Sequence, residues 1–150
     1  MAQITLVKSW CYEIILVSLR AVAEGRKPFA QHQEPVAARQ VWAATGQVRL
    51  MKTCQEGFAK LNLHCAQVLV TKEYFRDRLH YLNMQQCFNA FSKQNIAPIV
   101  NENDVIAVTE LMFTDNDELA GLVTAMTDAV LILANVDGIY NAPTSSLTHS

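Results

Sequence analysis

Two clusters of amide and carboxylate side chains are the best candidates in this sequence for ligand binding or catalysis. Asn101–Asp104 (NEND) directly follows the apolar run Pro98–Val100, and Thr114–Asp117 (TDND) comes ten residues after the first cluster. Amides can grip the ammonium and carboxylate of an α-amino acid, and carboxylates suit an ammonium or a hydrated Mg²⁺ beside phosphates. Asp and Asn are also frequent turn and N-cap residues, so Asp115 or Asn116 could simply begin a helix. The residues alone leave both interpretations open.

Several common catalytic signatures are absent from the sequence. It has neither the Gly-rich P-loop motif nor the G-x-G-x-x-G dinucleotide motif, and its spacing suggests no Ser–His–Asp set. The four cysteines include no C-x-x-C pair, and the four histidines lack the spacing of metal ligands. We therefore predict buried, reduced thiols and no metal site built from side chains.

Composition and charge limit the class of protein. With 150 residues, 51% of them hydrophobic and 17% charged, the chain can bury one core and form one compact domain. A formal net charge of −2 favours neither a nucleic-acid partner nor an anionic membrane surface. No apolar run reaches the roughly 18–20 residues of a membrane span. We expect a cytoplasmic protein with no nucleic-acid or membrane partner.

The hydrophobic pattern predicts an α/β fold with a mostly parallel sheet sandwiched between helices. Short runs rich in Val, Ile and Leu predict strands buried on both faces. These strands are Tyr12–Val17, Ala66–Val70, Ala97–Val100 and Ala129–Leu133. Helical periodicity is found in Val36–Leu61, Tyr74–Lys93 and Asn116–Met126. Because ligands bind beyond the carboxyl ends of the strands in such sheets, both polar clusters fall where a pocket is expected.

Details of the helices are also predicted. Gly46 and Gly57 weaken the first helix and leave a break inside it open. Spacing predicts an inward face on each of the other two helices. For the second helix this face comprises Phe75, Leu79, Leu82, Cys87, Ala90 and Phe91. For the third it comprises Leu119, Leu122, Val123 and Met126.

The order of motifs along the chain resembles the glutamate 5-kinase branch of the amino-acid kinase family. The matching segments cover about residues 3 to 140, and the NEND and DND elements are the most specific of them. The main segments are Ala21–Arg26, Ala43–Gln47, Ala66–Thr71, Pro98–Asp104, Phe113–Leu119 and Val136–Tyr140. The resemblance implies an amino-acid kinase-like fold and ATP-dependent phosphorylation of the γ-carboxylate of L-glutamate, the first step of proline biosynthesis.

The resemblance also implies site residues, cofactors and partners. In that family the positions of Asp104 and Asn116 hold glutamate, with Asn103 and Asp117 as helpers. Ala134 and Asn135 stand at the nucleotide position. ATP with Mg²⁺ is the implied phosphoryl donor, no catalytic residue is assigned, and association into homo-oligomers or with intact kinase subunits is expected.

The match is partial, and this leaves an alternative function. We expect residues 1–140 to form an incomplete amino-acid kinase domain and residues 141–150 to form a polar tail. Leu19 and Arg20 stand where the family has Ser-Gly. The alternative is a catalytically inactive fragment that binds glutamate or docks onto kinase subunits.

Overall fold

The computed structural model describes residues 13–18, 21–26, 35–107, 112–113 and 116–127. Its strands are β1 (Leu16–Val17), β2 (His64–Val70) and β3 (Ile96–Glu102). Its helices are α1 (Ala21–Arg26), α2 (Pro35–Ala59), α3 (Lys72–Arg76), α4 (Arg78–Lys93) and α5 (Asn116–Thr127). Among these helices, none is both long enough and apolar enough to cross a membrane.

The three described strands form one parallel sheet in the order β1-β3-β2. Val17 of β1 is level with Val100 of β3, and Val70 of β2 is level with Glu102. The backbone N–H of Ser18 donates to the carbonyl of Val100 at 2.9 Å and continues the pairing past β1. The α/β fold with a parallel sheet is therefore confirmed, whereas the predicted strand Ala129–Leu133 lies outside the described residues.

Helices cover both faces of this sheet. Successive strand residues point to opposite faces, so Ile99 and Val100 enter different cores. Ile99 packs with Cys54 and Phe58 of α2. Val100 lies in a second core, formed with α4 and α5 on the other face. The buried members of that core are Val70, Phe88, Val100, Phe113, Leu119, Val123 and Met126. The sheet is the middle layer of three.

Glycines allow α1 and α2 to pack backbone against backbone. The helix α2 continues unbroken from Pro35 to Ala59, so the break left open by the sequence is not present. A Cβ built on Gly46 would lie 1.7 Å from the carbonyl oxygen of Ala21, and one built on Gly25 would lie 1.7 Å from that of Trp42. Gly46 therefore allows the close helix contact, at some cost in helix propensity.

The single helix expected over Tyr74–Lys93 is wrong, because the chain forms two helices there. Asp77 has extended backbone angles (φ −87°, ψ 121°) and serves as the N-cap of α4. Its carboxylate accepts a hydrogen bond from the backbone N–H of His80 at 2.9 Å, and this bond is the main cause that lowers the pKa of Asp77. An Asx side chain competes with continued helix for backbone donors, so the chain restarts at this residue.

This restart also overturns part of the predicted inward face of α4. Leu79 is 67% exposed and Leu82 is 40% exposed, although both were expected to face the core. Cys87 and Ala90 are exposed as well, whereas Phe91 packs on the core as predicted. The other residues of α4 that meet the core are Tyr81, Met84 and Phe88. For α5, by contrast, the predicted inward face is confirmed, since Leu119, Val123 and Met126 are buried and Leu122 packs beside them.

Candidate functional site

The carboxyl ends of β2 and β3 lie side by side and begin the candidate site. The backbone N–H of Asn103 donates to the carbonyl of Val70 at 2.8 Å, which carries the pairing beyond β3. Thr71, directly after β2, is buried. The sheet therefore delivers Asn103 and Asp104 to the same edge as the turn that begins α3, as expected for parallel strands.

Asp104 is a buried carboxylate with a cationic partner from a distant part of the chain. Arg39 of α2 donates to Asp104 Oδ1 from Nη2 at 2.8 Å and from Nε at 3.3 Å. The Asp104 side chain is 4% exposed and that of Arg39 is 44% exposed. The next residue of α2, Gln40, donates from Nε2 to the carbonyl of Val105 at 2.8 Å. Two consecutive residues of α2 thus hold the turn that carries Asp104.

Glu102, the last residue of β3, is fully buried beside this ion pair. The pKa of Glu102 is raised, and burial is the largest cause. The negative charge of Asp104 also raises this pKa, whereas the hydrogen bond from the Phe113 N–H lowers it. The positive charges of Arg39 and Lys72 lower the pKa by smaller amounts. The hydrogen bond from the Phe113 N–H to Glu102 Oε1 is 3.0 Å long. Glu102 therefore connects the end of the central strand to the segment that precedes α5.

The first turn of α5 is held at the same edge of the sheet. Lys72, the first residue of α3, forms an ion pair with Glu118 in that turn. The Lys72 ammonium also lies 5.8 Å from the ring centre of Phe113. Asn116 begins α5 and Asp117 follows it as an exposed residue. Contacts from Lys72 at the start of α3 and from Glu102 at the end of β3 thus hold the start of α5 and the segment before it at this edge of the sheet.

Asn101 contributes an unusual polar group one residue earlier in β3. It is 1% exposed, and its Oδ1 accepts the backbone N–H of Glu102 at 2.9 Å. Its Nδ2 has no hydrogen-bond partner within the part of the chain that the structure describes. An unsatisfied buried donor costs free energy. The unpaired side-chain N–H of Asn101, near the carboxyl edge of the sheet, is therefore suited to donate a hydrogen bond to an oxygen atom of a ligand.

Sequence reasoning located the clusters and missed the residues that hold them. It assigned no role to Arg39, and none to Glu102 apart from its cluster. The only signal for Glu102 was its place inside the NEND element, at the end of an apolar strand. Arg39 gave no signal, because its partner is 65 residues away.

The remaining predicted site residues have different outcomes. Ala134 and Asn135 lie outside the described residues. Within the described ranges, no group of three or more His, Cys, Asp or Glu side chains could hold a metal ion. The cysteines described, Cys54, Cys65 and Cys87, are free thiols. Cys54 is buried, whereas Cys87 is exposed, contrary to the expectation of buried thiols throughout.

The amino-acid sequence that forms this parallel three-layer fold matches a known class of protein. The family model of the amino acid kinase family matches residues 5–148, and this chain belongs to that family. Among the relatives it resembles, the glutamate 5-kinase of Chlorobaculum tepidum is 54% identical over 133 residues and that of Bacteroides thetaiotaomicron 47% identical over 137. The glutamate 5-kinase of Synechococcus sp. (strain JA-3-3Ab) is 41% identical over 143 residues.

These similarities cover most of the chain and a smaller part of each relative. The matched regions comprise 86%, 89% and 93% of this chain, respectively. They comprise 37%, 38% and 38% of the three relatives. The chain therefore spans less than half the length of the glutamate 5-kinases that it matches.

Replacing Glu102 with Gln is expected to raise the melting temperature at neutral pH by a few degrees. Since the pKa of Glu102 is raised by burial, the folded protein holds this proton more tightly than the unfolded chain does. Stability therefore falls as the pH rises from the ordinary glutamate pKa through the raised one. Gln removes this penalty and keeps an oxygen for the Phe113 N–H. Melting curves between pH 4 and pH 8, about the range that glutamate titration covers, check this.

The gain from Glu102→Gln should shrink as the pH is lowered toward the ordinary glutamate pKa. Glu56→Gln is the matched control, because Glu56 is an exposed carboxylate on α2 with only a long 4.0 Å ion pair to Lys52. A gain that is equal at every pH, or one shared by the control, would contradict the assigned cause.

Proposed function

We propose that this chain is the glutamate-binding part of a glutamate 5-kinase, an enzyme of proline biosynthesis that phosphorylates the γ-carboxylate of L-glutamate with ATP. The observation that carries the proposal is the buried Asp104 carboxylate at the carboxyl edge of a parallel sheet, the edge at which Lys72 pairs with Glu118 in the first turn of α5. Similarity to proteins named glutamate 5-kinase over most of the chain supports it.

In this function Asp104 binds the ammonium group of glutamate, and Asn116, with Asn103 and Asp117 as helpers, holds the rest of the amino acid. A carboxylate that is fixed and screened from water attracts an ammonium more strongly than one free in solvent. A γ-carboxylate oxygen then bonds to the γ-phosphorus of ATP while the bond to the ADP oxygen breaks. The products are γ-glutamyl phosphate and ADP. The contribution of these residues is orientation for in-line attack.

ATP would meet the chain through Ala134 and Asn135. Mg²⁺, when bound to ATP, neutralises the phosphate charge during transfer. The described acidic residues do not form a metal-binding group, so we assign no protein ligand to Mg²⁺. The other proposals are a cytoplasmic location, which free thiols support, and association into homo-oligomers or with intact kinase subunits.

A second candidate is a fragment that binds glutamate, or docks onto kinase subunits, without turnover. Leu19 and Arg20 favour it, because they replace the Ser-Gly of the family directly after Ser18. Ser18 itself lies at the carboxyl end of β1, on the same edge of the sheet as Asp104. Leu has no hydroxyl to offer a ligand, and Arg adds a long charged side chain where Gly allows close approach of the backbone.

The test is ATP-dependent formation of γ-glutamyl hydroxamate by the purified chain with Mg²⁺, L-glutamate and hydroxylamine, together with L-glutamate titration. Turnover above a no-enzyme control supports the kinase. Saturable binding without turnover supports the inactive binding fragment. Folded protein that shows neither turnover nor glutamate binding would contradict the glutamate pocket and leave the docking fragment.

A further inference from the structure

The Arg39–Asp104 pair differs from an ordinary surface ion pair in both geometry and burial. Two guanidinium nitrogens of Arg39 contact one carboxylate oxygen, at 2.8 and 3.3 Å, and the Asp104 side chain is almost fully buried. On the same helix, Lys52 and Glu56 form a single 4.0 Å contact between side chains that are 78% and 65% exposed. Exposed pairs of this second kind contribute little to stability or binding.

The contacts leave part of the Arg39 guanidinium available. A guanidinium has five N–H donors, and Arg39 uses its Nε and Nη2 on Asp104 Oδ1. The Nη1 side takes no part in this contact, and the side chain is 44% exposed although its partner is buried. Arg39 is therefore a cation that is fixed at one edge and open to solvent at the other.

A fixed cation beside a fixed anion has the charge pattern that complements an α-amino acid. The ammonium and α-carboxylate of an amino acid are carried by the same carbon atom, so their partners in a protein must also be neighbours. Guanidinium groups bind carboxylates through paired N–H donors, and a carboxylate accepts from an ammonium. Asp104 and Arg39 present these two charges together.

We propose that Arg39 binds the α-carboxylate of the amino acid whose ammonium group is bound by Asp104. This assignment rests on the proposed function, since it completes the glutamate pocket. The neighbouring Gln40 donates to the carbonyl of Val105 at 2.8 Å, so a second contact joins the turn to α2 and favours the observed spacing of the two charges. Arg39 thereby selects amino acids over amines that carry the same side chain.

A purely structural role for Arg39 would make a different prediction. If Arg39 only held Asp104 and its turn in place, losing it would weaken every ligand that uses Asp104 by the same factor. If Arg39 binds the α-carboxylate, its loss weakens only ligands that have one. The useful pair of ligands is L-glutamate and 4-aminobutyrate, which is glutamate without its α-carboxylate.

The experiment is titration of the full chain with both ligands for wild type, Arg39→Gln and Arg39→Lys. Wild type should prefer L-glutamate by about tenfold, the effect of one charge-assisted hydrogen bond. Arg39→Gln should bring the ratio of the two affinities close to one. Arg39→Lys keeps the charge without the planar fork, and should give an intermediate ratio. Lys52→Gln, the same charge change on the same helix, should leave the ratio at the wild-type value.

Two results would overturn the assignment, and they are distinguishable. An Arg39→Gln ratio equal to that of wild type, with glutamate still bound, would refute the role of Arg39 and leave the glutamate pocket intact. Binding of neither ligand by folded wild-type chain would contradict the proposed function itself, and with it the role of Arg39.

Discussion

Replacing Asp104 with Ala is expected to weaken L-glutamate binding by about 30-fold or more, because the ammonium loses a buried carboxylate partner. The fold should survive this change. The partner left behind, Arg39, is 44% exposed, so its charge can be hydrated once the ion pair is broken. Calorimetric titration with L-glutamate measures the affinity, and a thermal melt of the same sample verifies folding.

Two further variants sharpen the Asp104 test. Asp104→Asn keeps the shape and one oxygen but removes the charge, so it should also bind weakly if charge is the cause. Glu56→Gln removes a carboxylate from an exposed position on α2 and should bind as wild type does. Unchanged glutamate affinity in folded Asp104→Ala would rule out Asp104 as the ammonium partner.

Replacing Gly46 with Ala is expected to lower the free energy of unfolding by about 1–3 kcal/mol or more, in spite of the better helix propensity of Ala. The added methyl would lie 1.7 Å from the Ala21 carbonyl oxygen and 2.7 Å from the backbone nitrogen of Gly25. Both atoms belong to the backbone of α1, so no side-chain rotation relieves the clash. α1 must move away from α2, and urea denaturation measures the cost.

Gly121→Ala is the matched control for the Gly46 variant. Gly121 is an exposed position of α5, and a Cβ built there would meet nothing within 4 Å. The same chemical change should therefore stabilise the protein there by roughly 0.5–1 kcal/mol. Opposite signs at the two glycines are the expected result. If Gly46→Ala were as stable as wild type, close packing of α1 on α2 would be refuted.

The amino-acid sequence by itself determined the layers of this protein and the place of its polar clusters. Unbroken apolar runs such as Ala97–Val100 predict strands covered on both faces, because an alternating pattern is absent where neither face meets water, and this run is buried throughout. Those strands are parallel, and Asn103 and Asp104 follow directly at the carboxyl edge. The buried face of α5 can also be predicted from local sequence, because its apolar residues recur at helical spacing along the whole helix.

Only the tertiary structure decided the inward face of α4 and the partners of the site. The Asp77 cap restarts the helix and shifts its phase, so Leu79 is exposed. Arg39 reaches Asp104 across 65 residues of sequence, and Lys72 binds Glu118 between two helices. Hydrophobic periodicity and sequence motifs involve residues that are close together in the chain. Burial and ion pairs depend instead on which distant segments the fold brings together. The sequence therefore located the polar residues at the carboxyl edge of the sheet, and the packing of α2 and α5 determined which charged side chains they contact.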